Sequence, residues 1–185
     1  AAAAIARSQS LELALPTDND ALFREDGPEF YQVVERDYKG AKSTPWEGGQ
    51  YGFVRDPVDT AGGVVFSRFH EGIDIRPMRR DEKGEPLDEV RAIAAGKVVH
   101  TSLVPGYSNY GKYIVIEHEW DSCRYYSLYA HLSEISVEPG NKVAIGQRIA
   151  RMGHTRTGIN QQRAHLHLEL NLLLSHQFDA WHRTF

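Results

Sequence analysis

Three short segments hold the residues best suited to chemistry. In Arg68-Phe69-His70-Glu71-Gly72-Ile73-Asp74-Ile75 a histidine and a carboxylate stand four positions apart with a glycine between them. On a flat strand, ~3.3 Å per residue would separate those side chains by ~13 Å, too far to share one ion. Gly72 and the branched flanks argue against a helix, whereas a turn or bulge at Gly72 would fold the carboxylate back towards the imidazole. In Ala164-His165-Leu166-His167-Leu168-Glu169 two histidines sit at i and i+2. On a strand they share a face with Cα atoms ~7 Å apart, while Leu166 and Leu168 turn to the core. Two neighbouring imidazoles on an open face are costly when both are charged and idle when both are neutral, so metal binding explains them better than solvation does. Glu169 falls on that same face, where it either bonds an imidazole or is simply solvated. The third segment, Tyr129-Ala130-His131-Leu132, carries one histidine at a strand end and by itself reads as structural.

Taken together the three segments say more. Cys123 is the only cysteine, which excludes an internal disulfide and every zinc site built from two or more thiolates. Neutral imidazole and carboxylate are what Zn²⁺ accepts instead. Two histidines and one aspartate leave a fourth position for water, as in a catalytic site, where zinc lowers the pKa of water to ~7. Two more histidines then remain for proton transfer and for stabilising a developing oxyanion.

The elements that must position these residues read as β. Val64-Val65-Phe66, Val98-Val99, Tyr113 to Ile116, Tyr125 to Tyr129 and Leu166 to Leu170 are short branched or aromatic runs separated by Gly, Pro, Asn or Asp. Val90 to Val99 and Val137 to Ile149 echo each other, each predicting a strand, a Gly-centred turn and a second strand, which suits a sheet of hairpins. Trp120-Asp121-Ser122-Cys123 predicts a hairpin turn, and Asp81 to Glu89 a solvated loop. The spacing after Asp26 and Gly27 predicts a helix from Pro28 with Phe30, Val33 and Val34 inward. Lys39 to Gln50 reads as a linker. This divides the chain into a partly helical arm over 1–50, a β domain over 51–175 and a tail or helix start over 176–185. The Ala-rich opening, Ala1 to Arg7, reads either as the remnant of a cleaved export signal or as an artificial edge.

Composition sets outer limits. The 185 residues are 41% hydrophobic and 25% charged, ordinary for a folded domain. With 21 Lys and Arg against 25 Asp and Glu, the net charge of −4 offers no broad field for nucleic acid. No run of ~18 apolar residues is present to span a membrane. Of the nine histidines, His100, His118, His176 and His182 read as surface or strand-edge residues, and His154 as a candidate for substrate contact.

The ordered set His70-x-x-x-Asp74, Tyr129-x-His131-Leu132 and His165-Leu166-His167 resembles the lysostaphin-type (LytM-type) zinc metallopeptidases. The filler agrees: Gly106-Tyr107 and Tyr110-Gly111 before Ile114-Val115-Ile116, then Gly140-x-x-Val143-x-x-Gly146-Gln147 and Gly153. The resemblance covers residues 68 to 172, about 105 of 185. It implies an antiparallel β-sheet groove with Zn²⁺ at its floor. It assigns His70, Asp74 and His167 to the metal and His131 and His165 to the two further active-site histidines, leaving open which of that pair is the general base. It also implies an exported endopeptidase whose substrate is the peptide part of bacterial peptidoglycan. Two departures stand out: Arg68-Phe69 replaces a customary glycine before the first histidine, and the loop from Gly153 to Arg163 carries His154, Arg156 and Arg163 where small residues are usual. That loop should edge the groove, so the departure touches substrate preference. Residues 1 to 50 match nothing in the family and either cover the groove or pack behind the sheet. Two other readings compete. One is a regulator of the same fold that binds a partner hydrolase without hydrolysing anything. The other is a hairpin-rich carrier module using Lys97 or Lys142, which gives the histidines no purpose.

Overall fold

The computed structural model describes residues 11–156 and 159–173. The Ala-rich opening, His176, His182 and the expected helix from Phe178 to Phe185 lie outside these residues. Thirteen short strands carry the fold: β1 (Arg36–Tyr38), β2 (Ala41–Ser43), β3 (Val54–Thr60), β4 (Gly63–Phe69), β5 (Ile73–Ile75), β6 (Glu89–Arg91), β7 (Gly96–Ser102), β8 (Tyr113–Trp120), β9 (Cys123–Ala130), β10 (Glu134–Ile135), β11 (Lys142–Val143), β12 (Arg148–Arg151) and β13 (Leu166–Leu172). Six form one antiparallel sheet in the order β11-β7-β8-β9-β13-β5, and three form a smaller one, β10-β12-β6. Two further hairpins, β1-β2 and β3-β4, stand apart from both. The fold is therefore the antiparallel, hairpin-rich β architecture that the sequence implies.

Alternation builds the core. Along β8 every second residue is buried, which sends Ile114, Ile116 and His118 inward. Val98, Tyr129, Leu166 and Ile75 join them from the large sheet, and Val90, Ile149 and Ala150 from the small one, in one apolar cluster. Each fully buried Ile or Leu side chain contributes roughly 1.5–3 kcal/mol. The β8-β9 hairpin closes on Asp121 and Ser122, whose positive φ of 49° and 62° gives the two-residue turn that matches strand twist. Among the described residues no helix is long and apolar enough to cross a membrane.

Several expectations need correction. The echoing segments do not form hairpins of their own. Each splits, and the halves pair crosswise: β11 lies on β7 and β12 on β6. Burial of Val98 and Val90 in one cluster holds the two halves in different sheets. The helix after Asp26 lasts one turn, α1 (Gly27–Phe30). Phe30 is buried as expected, but Val33 is exposed. Tyr31 turns extended to bridge Ile75, and the Gln32 N–H donates to Asp74 O at 2.8 Å, so capping the open edge of β5 outweighs continuing the helix. The linker contains β2 and a 3₁₀ turn over Trp46–Gly49. A Cβ on Gly49 would stand 2.8 Å from Gln32 O and 3.1 Å from Asp74 O, so this glycine marks a close backbone approach. In the expected solvated loop Asp88 is buried, its carboxylate accepting from Met78 N and Arg79 N. His118 is also buried rather than superficial, because β8 alternation turns it inward.

Two stretches of the first 35 residues back two different strands, residues 14–16 at β6 and residues 30–32 at β5. Ala14 N donates to Ile93 O, Arg91 N to Pro16 O and Arg76 N to Phe30 O. The β5 edge, which carries Asp74, is thereby backed by residues 30–32.

Candidate metal centre

Sheet register brings the three segments to one place. In β13, His167 lies opposite Asp74 of β5 on one side and Ala130 of β9 on the other. His131 follows Ala130 immediately, and His165 ends the approach to β13 through a bridge to Gly153. His131 adopts φ 62°, a left-handed conformation costing roughly 1–2 kcal/mol for a non-glycine residue. Such strain persists where the surroundings overdetermine it, here as the chain turns out of β9. His70 precedes a bend at Gly72, so the chain does turn between His70 and Asp74. A Cβ at Gly72 would fall 2.4 Å from Leu168 O and 3.0 Å from His167 Cε1. Only glycine lets that bend press against β13.

Three atoms form a small triangle. His70 Nε2 is 3.0 Å from Asp74 Oδ1 and 3.1 Å from His167 Nδ1, and His167 Nδ1 is 2.8 Å from Asp74 Oδ1. The outward nitrogens fix the tautomers. His70 Nδ1–H donates to Gln50 O at 2.9 Å, and His167 Nε2–H donates to Glu169 Oε1 at 2.8 Å. With those protons turned outward, the inward atoms of the two rings and the carboxylate would offer one another only lone pairs. Such a triangle demands a cation. A proton on His167 Nδ1 satisfies one edge; a divalent ion satisfies all three donors. Zinc bonded at ~2.0–2.1 Å sets tetrahedral donors ~3.3 Å apart, close to the triangle's edges. The donor set, nitrogen and oxygen without sulfur, fits zinc.

Two further imidazoles border the triangle. His165 Nε2 is 3.5 Å from Asp74 Oδ1, and its Nδ1–H donates to Arg163 O at 2.6 Å. The His131 ring stands 4.7 Å from that of His165 and 5.9 Å from that of His167, with Nδ1 directed at Thr155 O. Burial, then repulsion from His165 and His167, holds His131 well below the usual histidine range. Burial also lowers His165, against the attraction of Asp74. Both rings are therefore neutral at pH 7 with Nε2 free to accept a proton. Burial works against ionising Asp74, but His165 and the bonds from His167 and His70 hold it well below the carboxylate range. In the metal-free chain burial opposes charge on His167 too, yet the bonds to Asp74 and Glu169 raise it to about 9.

The structure thus gathers all five residues singled out in the sequence, and His154 lies apart, beside Glu85 at 3.1 Å. Of the two readings of Glu169, it shows the bond to an imidazole, and it adds Arg55 and Tyr110, which the sequence did not reveal. Arg55 Nη2 donates to Asp74 Oδ2 at 3.1 Å, holding the second carboxylate oxygen so that Oδ1 turns to the triangle. Glu169 is buried and receives Tyr110 O–H and Asn171 Nδ2–H, both at 2.8 Å, as well as His167. Carboxylate–imidazole links of this kind orient metal-binding rings. Arg55 and Tyr110 lie on separate strands or loops from their targets, so no local spacing announces them.

Comparison with known proteins follows the same lines. A sequence profile of Peptidase family M23 matches residues 68–179. The chain is 34% identical over 116 residues to the lipoprotein NlpD/LppB homolog of Pseudomonas aeruginosa, covering 60% of this chain and 34% of that protein. It is 38% identical over 104 residues to the uncharacterized lipoprotein YgeR of Escherichia coli, covering 56% and 35%. The chain therefore spans about a third of the length of these curated relatives. The solved SpoIIQ–SpoIIIAH pore-forming complex shares the fold, with a TM-score of 0.50 at 23% identity over 87% of this chain and 84% of that one. The catalytic domain of lysostaphin from Staphylococcus simulans gives 0.44 at 29% identity over 65% and 77%.

Proposed function

The chain belongs to peptidase family M23, and from that premise we propose that it is a zinc-dependent endopeptidase acting on the peptide part of bacterial peptidoglycan. The observation that carries this reading is the convergence of His70 Nε2, Asp74 Oδ1 and His167 Nδ1, with both ring tautomers pinned from outside. These three residues would hold the ion, which when bound supplies a Lewis acid for the scissile carbonyl and acidifies water.

The remaining work falls to the chain's own groups. His131 and His165 keep Nδ1 on backbone carbonyls and present neutral Nε2 atoms beside the triangle. One Nε2 accepts the proton of the attacking water. That ring then passes the proton it gained to the leaving amine, while the other, once it takes up a proton from solvent at Nε2, donates that N–H to the negative charge that grows on the carbonyl oxygen. Arg55 and Glu169 touch no reacting atom; they position Asp74 and His167. The word lipoprotein in the names of relatives supports an envelope location for such an enzyme.

Digestion of purified peptidoglycan, with mass analysis of the released fragments, tests the proposal. Peptide-bond products that disappear with chelator and return with added zinc are expected. Products that persist unchanged in chelator would contradict metal catalysis. No products from zinc-replete protein would move the function to the non-enzymatic regulator.

A further inference from the structure

A cleft of about 690 Å³ opens beside the triangle, between the β1-β2 hairpin, the β3-β4 hairpin and the loop leading to β13. Its size suits a ligand of small-molecule or short-peptide dimensions. Five arginines line it, Arg36, Arg55, Arg68, Arg156 and Arg163, together with the carboxylates of Glu35, Asp37, Asp56 and Glu71. Arg36 donates to Val54 O and lies over the rings of Phe53 and Phe66. Arg55 is bonded to Asp74 and to Gly48 O, and Arg68 reaches Asp56 only at the surface, at 3.5 Å. Arg156 and Arg163 make no ion pair among the described residues, and the Nε atoms of Arg55, Arg156 and Arg163 are buried without a hydrogen-bond partner there. Burial, then the charges of Arg68, Arg163 and Arg55, pull the Arg156 guanidinium below its usual value.

Gathering like charges around unused donors is unfavourable unless an anion joins them. On the reading of the site as a peptidase groove, we propose that Arg68, Arg156 and Arg163 form a subsite for a single carboxylate on the peptide substrate. Guanidinium groups match a carboxylate fork, and charge-assisted bonds of this type are the strong ones. The rest of the lining favours a peptide carboxylate over a phosphate polymer. Phe66, Pro57 and Val64 give apolar walls, whereas Glu35, Asp37 and Glu71 would repel a chain of many negative charges. The cleft also adjoins the metal centre through Arg55, which lines the one and bonds the other. An anchored carboxylate would therefore lie near the bond to be cut.

The test measures binding without turnover, so that it stands apart from the hydrolysis assay. Chelator-treated protein is titrated with N-acetyl-Ala-Glu-Ala amide, with its Gln counterpart and with inorganic phosphate. The Glu peptide should bind about tenfold more tightly than the Gln peptide, as expected for charge-assisted bonds in a partly buried site. The double variant R156Q/R163Q should bring the two peptides within about twofold of each other, with an unchanged melting curve. Equal affinity for both peptides in the unaltered protein overturns the proposal without recourse to any variant. A preference that survives R156Q/R163Q also overturns it, and so does phosphate binding as tightly as the Glu peptide. Selective binding in a protein that hydrolyses nothing would leave the subsite in place and remove only the peptidase reading.

Discussion

His118 and His167 lie two strands apart in the same sheet, and both are hidden from solvent, at 1% and 6% exposure. Their surroundings differ in one respect. The His118 ring is used up: Nδ1–H donates to Ala95 O at 2.8 Å, and Nε2 accepts from the Ser127 hydroxyl at 2.7 Å. Burial lowers its pKa, so it stays neutral and needs nothing further. His167 spends one nitrogen on Glu169 and turns the other towards two more lone-pair donors. His70 does likewise, with Gln50 O as its outer partner. Burial and residue type therefore fail to separate a structural histidine from a candidate ligand. The direction of the unspent lone pair separates them.

The largest effect that sharpens this contrast comes from His70→Ala. It should abolish zinc retention and peptidoglycan hydrolysis together, measured by metal analysis and fragment release. His131→Ala should keep the metal and lose hydrolysis by roughly 10²–10⁴-fold, the usual worth of a proton-transfer group; full activity in the metal-replete variant would remove that role from His131. Glu169→Gln removes the charge behind His167 and should weaken zinc by roughly 10–100-fold in a competition titration. His118→Ala should leave both zinc and hydrolysis intact while lowering stability by about 1–3 kcal/mol, because Ser127 and Ala95 O lose their partner inside the sheet. Denaturant unfolding measures that loss.

The smallest effect concerns pH. His167 of the metal-free chain is raised to about 9. Its contribution to stability is complete below the unfolded-state value of ~6.5 and is lost as pH rises through about 9. His131 and His165 are lowered, so their contributions are present above ~6.5 and are lost as pH falls. The proton on His167 competes with metal, so zinc affinity should climb between pH 7 and pH 9. Melting curves of chelator-treated protein should show stability falling over the same interval, less steeply in Glu169→Gln, where one of the bonds that raise His167 is weakened.

The same contrast explains what the sequence could and could not disclose. His165 and His167 are two apart, and strand alternation alone puts them on one face with Glu169. His70 and Asp74 are linked by a single bend, and Gly72 announced it. Those relations are local, and the β pattern carried them. Alternation with Ile114 and Ile116 puts His118 on the inner face of its strand, but the partners that satisfy it, Ala95 O and Ser127, reach it only through β7, β8 and β9 pairing. Arg55 meets Asp74 only through folding of the first hairpins against the edge of the sheet. The helix expected beyond Phe30 failed for a similar reason: Tyr31 and Gln32 serve the β5 edge, a demand invisible to helical periodicity. Crosswise pairing of the two echoing segments was also hidden, since each contains a plausible turn of its own.

The account rests most directly on where zinc binds, so the decisive measurement is the zinc content of the purified protein and two variants after identical loading and washing. One equivalent in the unaltered chain and in His118→Ala, with none in His70→Ala, is the predicted result. Zinc retained in full by His70→Ala, or lost from a folded His118→Ala, would contradict it.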